Sequence, residues 1–198
     1  MSDESNTLDA IFEEHIKVAR ASRETLLETT LMLCDELSEA LESGGKLLVF
    51  GNGGSAADAQ HFAAELVGRF KRSRPGLPAL ALTTNTSALT AIANDWDYDH
   101  VFARQVEGLC QPHDFVVGIS TSGGAESVAS GLRAARERGA ATWALTGAGG
   151  GKVAEAAERS LRVPSTVTAR IQEMHITLIH AVSEIVEARL AAFMDRAD

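Results

Sequence analysis

From Leu8 to Leu41 apolar side chains recur at helical spacing: Leu8, Ile11, Phe12, Ile16 and Ala19, then Leu26, Leu27, Leu31, Leu33, Cys34, Leu37 and Leu41. The pattern predicts a helical lead-in, divided into two helices at Ser22 and stopped by Ser43-Gly44-Gly45. Residues 1–6 are polar and are expected to fray. The apolar stripe must cover a sheet, pair with another subunit, or do both. Beyond it the pattern changes. Short, continuously apolar runs at Lys46–Phe50, Ala79–Thr83, Phe115–Ile119, Ala141–Leu145 and Ser160–Val163 read as buried parallel strands. Helical patterns separate them at Ser55–Phe70, Ser87–Ala93, Tyr98–Leu109, Ala125–Arg138 and Lys152–Ala157, and a last helix runs over Ala169–Phe193. Lys71–Pro78, with Pro75, Gly76 and Pro78, is an irregular loop, and Asn94-Asp95-Trp96-Asp97 is a polar turn.

Strands alternating with helices imply right-handed βαβ units, hence an α/β fold with a doubly wound, five-stranded parallel sheet flanked by helices. At 198 residues, with no repeat of solenoid period, the expectation is a single domain over 1–198: N-terminal helices in 1–43, an α/β core and C-terminal helix in 44–198. In such sheets ligands bind at the carboxyl ends of the strands. Two strand ends lead through Gly/Ser-rich turns into helices: Gly51-Asn52-Gly53-Gly54-Ser55 and Ser120-Thr121-Ser122-Gly123-Gly124.

Composition narrows the function classes. An apolar fraction of 45% allows a substantial core, and the formal charge of −9 leaves no basic surplus for nucleic acid or an anionic membrane. Residues 1–6 do not resemble a secretory leader, and no apolar run approaches the roughly 20 residues of a membrane helix. A cytoplasmic location is therefore expected. Cys34 and Cys110 lie in helical apolar patterns and read as small core residues.

The two turns carry the chemistry. Glycines let successive N–H groups turn inward, and a helix N-terminus behind them favours an anion. Gly51-x-Gly53-x-x-Ala56 also fits the dinucleotide fingerprint, but the second strand ends in Thr83-Thr84-Asn85 without the carboxylate that would hold a ribose. A phosphorylated small molecule fits both turns better. On the helix after the first turn, His61, Glu65 and Arg69 follow i, i+4, i+8 spacing and share a face. His61 and Glu65 offer two ligands to a divalent metal; two are too few, so others must come from elsewhere. The last helix places Gln172, His175 and His180 among apolar residues, with His175 the choice for a structural role.

The segment from Gly51 to Glu65, together with Ala93-Asn94-Asp95, Ser120-Thr121-Ser122-Gly123 and Arg170-Ile171-Gln172-Glu173-x-His175, closely resembles the sedoheptulose 7-phosphate isomerase (GmhA) family of sugar isomerase (SIS) domain proteins. The resemblance covers nearly the whole chain. It implies the SIS fold, a cytoplasmic homotetramer with active sites shared between subunits, and conversion of sedoheptulose 7-phosphate to D-glycero-D-manno-heptose 7-phosphate. It implies one Zn²⁺ per subunit on His61, Glu65, Gln172 and His180, with Glu65 the catalytic base and His180 its acid–base partner. It assigns substrate contacts to Asn52, Gly53, Gly54, Ser55, Glu65, Asn94, Asp95, Ser120, Thr121, Ser122 and Gln172. One position departs from the family: Ala125 stands where a serine usually contacts the phosphate. Glu126 beside it would repel a phosphate if turned inward, and Ser127 is the candidate to compensate. The main rival is a non-catalytic tetrameric relative of the DiaA type, which binds a replication initiator. Such chains lack the Glu and His that stand here at Glu65 and His180. A regulatory SIS module sensing a sugar phosphate is a further alternative, and no additional DNA-binding segment supports it.

Overall fold

The computed structural model describes residues 2–197, with side chains to residue 192. In chain order the elements are α1 (Asp3–Glu42), β1 (Leu47–Gly51), α2 (Gly54–Val67), β2 (Ala79–Ala81), α3 (Thr86–Asp95), a 3-10 turn (Tyr98–His100), α4 (Ala103–Leu109), β3 (Phe115–Ser120), α5 (Glu126–Glu137), β4 (Ala141–Gly147), α6 (Gly151–Ala156), β5 (Arg159–Val163) and α7 (Thr168–Ala197). The five strands form one parallel sheet in the order β2-β1-β3-β4-β5. This is the five-stranded, doubly wound parallel sheet that the alternation of strands and helices predicts.

The lead-in is one helix, not two. Residues 3–42 contain neither glycine nor proline, and a serine in mid-helix costs only about 0.5 kcal/mol. The buried stripe Val18, Ser22, Leu26, Thr30, Leu33, Cys34, Leu37 and Leu41 runs straight through Ser22, so packing holds that residue in the helix. Nor does the start fray at residue 6. Ser2 caps α1 by accepting from the Ser5 N–H at 3.2 Å, and Asp3 and Glu4 occupy the first turn, where the helix dipole favours them.

Alternate residues of the strands point to opposite faces and build two cores. Leu47, Val49, Phe115, Val117, Ile119, Trp143 and Leu145 pack beneath α1, α2 and α7. Leu48, Phe50, Val116 and Ala144 pack beneath α4, α5 and α6. Cys34 and Cys110 are free and buried, and burial pushes both thiols up to about 11. They are core residues, as expected.

The strand order decides where a ligand can enter. From β1 the chain moves outward to β2, then returns across to β3 on the other side of β1. That reversal is the topological switch point, and a crevice opens there at the carboxyl ends. Gly51 pairs with Ile119, so the two Gly/Ser turns leave the sheet side by side.

Three helix boundaries differ from expectation for identifiable reasons. Tyr98–Leu109 is broken because Asp97 Oδ1 accepts from Asp99 N at 2.9 Å and contacts His100 Nδ1 at 2.6 Å, fixing a 3-10 turn before α4 begins. Asn94 and Asp95 belong to the last turn of α3 rather than to the turn after it. Helix α2 ends at Val67, so Arg69 lies beyond it and shares no helical face with His61 and Glu65. The segment past Val67 is pulled away by its own polar anchors. Glu187 of α7 accepts from the Phe70, Lys71 and Arg72 N–H groups at 2.7–2.9 Å, and Arg74 donates to the Glu65, Leu66 and Gly68 carbonyls. Among the described residues no helix is long and apolar enough to cross a membrane.

Candidate active site

The first turn is held open by two side chains. Asn52 Nδ2 donates to Ser127 Oγ at 2.9 Å, and Tyr98 Oη donates to Asn52 Oδ1 at 2.9 Å. Gly53 caps α2 with φ +56°, a conformation natural only to glycine. The N–H groups of Ser55, Ala56 and Ala57 bond back to the carbonyls of Asn52 and Gly53, and the Ser55 side chain is buried. In the adjacent turn Ser120 is buried, Thr121 half-buried and Ser122 exposed, with Ser122 Oγ accepting from Gly124 N at 3.2 Å. Asn94 and Asp95 are exposed and bonded to each other at 2.9 Å.

The Ala125 departure has a defined surrounding. Ala125 caps α5 without a side-chain hydrogen bond. Ser127, the candidate named above to compensate, is buried, and its Oγ accepts from Asn52 Nδ2, which leaves its O–H to donate. Glu126 is pinned by Lys152 at 2.7 Å and by Arg133. Those bonds, Lys152 first, hold its carboxyl down at about 2, so it is satisfied by cations and does not stand as a free charge.

Helices α2 and α7 run side by side and meet along a seam. Near their starts Gln172 lies against Gly54 and Asp58. Farther on, His180 comes to His61, Nε2 to Nε2 at 2.9 Å, and to the Phe70 ring at 5.7 Å between centroids. His61 Nε2 also lies 2.9 Å from Glu65 Oε1. One ligand atom from each of His61, Glu65 and His180 falls within a 4.8 Å cluster. Beyond it Glu187 and Arg74 form a buried ion pair at 3.2 Å. Burial pushes the Glu187 carboxyl up, but the N–H groups of Lys71, Phe70 and Arg72 and the Arg74 charge outweigh it and hold the group below the usual carboxylate range.

The donor chemistry suits a divalent metal. Two imidazoles and a carboxylate form the His/His/Glu set that holds catalytic zinc while leaving a position open. His175 is fully buried, with Nε2 at 3.3 Å from the Thr146 carbonyl oxygen, and burial pushes its imidazole down to about 4. Its surroundings are those of a structural residue.

Two residues of the site were not singled out from the sequence. Tyr98, the chain's one tyrosine, has no local pattern that ties it to Asn52, 46 positions away. Asp58 was readable: it stands three residues before His61, on the same face of α2. It is 7% exposed, and burial, the largest influence, raises its carboxyl, opposed by the Gln172 amide and by His61.

Relatives share this architecture. The SIS domain family matches residues 12–147. A phosphoheptose isomerase of Roseiflexus is 56% identical over 178 residues, covering 90% of each chain. The solved phosphoheptose isomerase GmhA of Neisseria gonorrhoeae superposes with a TM-score of 0.88 at 45% identity, covering 93% of this chain and 98% of that one. A phosphoheptose isomerase from Francisella tularensis superposes with a TM-score of 0.91 at 34% identity, covering 95% and 100%. Extensive identity to these relatives, over a fold that places a carboxylate and two imidazoles beside the strand-end turns, establishes that the chain belongs to the phosphoheptose isomerase family of SIS-domain enzymes.

Proposed function

We propose that this enzyme converts sedoheptulose 7-phosphate to D-glycero-D-manno-heptose 7-phosphate through an enediol. The observation that carries the reading is the cluster of Glu65 and His180 with His61 across the α2–α7 seam. Moving a carbonyl from C2 to C1 needs one group for carbon-bound protons and another for oxygen-bound protons. Glu65 takes a proton from C1 and returns it to C2. His180 takes the O1 proton and delivers one to O2. The turns Asn52–Ser55 and Ser120–Ser122 hold the phosphate and hydroxyl groups, with Asn94 and Asp95 contributing, so that the reacting carbons stay in place. His61, Glu65, His180 and Gln172 would hold a Zn²⁺, which when bound supplies Lewis-acid polarisation of the carbonyl oxygen.

The chain acts as one SIS unit in the cytoplasm and assembles as a homotetramer. The exposed side chains Leu8, Phe12, Ile16, Leu27 and Leu31 along α1 support assembly, because a helix carrying so many open apolar groups is suited to a partner surface. The net charge of −9 argues against nucleic acid and anionic membranes as partners. Incubation of the purified protein with sedoheptulose 7-phosphate and other ketose phosphates, following aldose formation, tests the reading. Turnover of the heptulose is expected. No turnover of any ketose phosphate would leave the non-catalytic binding role as the better account.

A further inference from the structure

Leu82, just past β2, and Val101, before α4, are both buried, but between them none of residues 83–100 is. The stretch bonds mainly to itself: Asn85 caps α3, Asp97 caps the 3-10 turn, and Asn94 bonds to Asp95. Leu89, Ile92 and Ala93 pack against the core only partly buried. Among the described residues one hydrogen bond joins this stretch to a distant part of the chain, Tyr98 Oη to Asn52 Oδ1 at 2.9 Å. The other end of the Asn52 amide bonds at 2.9 Å to Ser127 Oγ in the first turn of α5, a residue only 2% exposed. Tyr98 therefore ties an open segment to a fixed point, and that point is the Gly-rich turn at the end of β1. The tyrosine is 54% exposed, so its hydroxyl, rather than burial of its ring, makes the attachment. A segment with no buried side chain has little else to hold its place. Asp95 stands three residues before Tyr98, within about 11 Å along even a fully extended chain.

We propose that Tyr98 is a positioning residue for the sugar phosphate: its hydroxyl moors the 83–100 segment to Asn52 and so sets where Asn94 and Asp95 meet the polar groups of the substrate. In this role Tyr98 touches no reacting atom. It acts through Asn52 on one side and through its own segment on the other. Contacts to the non-reacting part of a substrate are made equally in the ground state and the transition state, so their loss shows in KM more than in kcat. The inference rests on the sugar-phosphate reading above.

Steady-state kinetics with sedoheptulose 7-phosphate and calorimetric titration of the same compound test it. The proteins are the full-length wild type, Tyr98→Phe, Asn52→Ala and the Tyr98→Phe/Asn52→Ala double variant, with thermal melting and amide hydrogen exchange over 83–100 measured for each. Tyr98→Phe keeps the ring and removes the hydroxyl. It is expected to raise KM and the dissociation constant about three- to tenfold, with kcat changing less than KM. Exchange over 83–100 should quicken while the melting temperature holds. If Tyr98 acts through Asn52, the double variant binds no more weakly than Asn52→Ala alone. Unchanged KM and dissociation constant in Tyr98→Phe, unchanged exchange, or losses that add in full would overturn the positioning role and leave the isomerase reading standing. Wild-type protein that neither binds nor turns over the heptulose phosphate would overturn that reading and the role of Tyr98 together.

Discussion

Glu65 is 21% exposed on its side chain, reachable by substrate yet partly withdrawn from water, and it touches one of the two imidazoles. Glu65→Gln keeps its volume and removes its basicity. The expected outcome is loss of isomerisation by at least about a hundredfold, with melting temperature and assembly unchanged. Full activity in that variant would exclude Glu65 as the base. His175 governs a different property. It is neutral in the fold because burial depresses its imidazole to about 4, against about 6.5 in the unfolded chain. A depressed value means stability is complete above about 6.5 and is lost as pH falls toward 4, up to about 3 kcal/mol across that window. His175→Gln, which keeps a donor for the Thr146 carbonyl, should show a shallower fall in urea stability between pH 7 and 4. Unchanged pH dependence would show that other groups control acid unfolding. At this scale the sequence was readable where a residue's role is local. His61 and Glu65 are four apart on one helix, which suffices to place them together. The burial of Asp58 and the Tyr98–Asn52 bond depend on distant chain, and no local spacing reports them.

At the scale of elements, the site exists because α2 and α7 hold a fixed register. The Glu187–Arg74 pair secures its far end: the carboxylate gathers three backbone N–H groups, and the guanidinium binds the Glu65 carbonyl at 2.9 Å. Both side chains are at most 2% exposed, so removing one partner strands a buried charge. Glu187→Gln should cost about 3–5 kcal/mol in urea unfolding and lower activity at temperatures where the protein stays folded. A change under about 1 kcal/mol would show that the clamp contributes little. Helix and strand existence followed from hydrophobic period and from Gly/Pro punctuation. Boundaries were less legible. The single length of α1, the early end of α2 and the break at Tyr98–His100 were each decided by packing or by a side chain from outside the local pattern.

At the scale of the whole molecule, α1 buries one stripe from Val18 to Leu41 and leaves residues 2–14 exposed. Leu8 at 57% and Phe12 at 59% exposure, with Leu27 and Leu31 farther along, form an apolar surface that a tetramer would cover. Light scattering of the wild type should give four times the chain mass. Leu27→Asp with Leu31→Asp should lower the assembly state, because two carboxylates would be forced into the contact. A monomeric wild type, or a double variant that still forms tetramers, would place the interface elsewhere or remove it.

The sequence by itself determined what short-range physics controls: alternating strands and helices, the Gly-rich turn at the end of β1, and the His61–Glu65 pair on the helix that follows. The last helix already marked Gln172 and His180 as polar groups among apolar residues, and the resemblance gave them their roles before any geometry was known. Only the tertiary structure decided the strand order that sets the two turns side by side, the choice of α7 as the partner of α2, and the enclosure of Asp58 against Gln172. His61 and His180 are 119 residues apart. A contact over that separation arises when two helices bury their faces on the same side of one sheet, and neither helix carries a local signal naming the other.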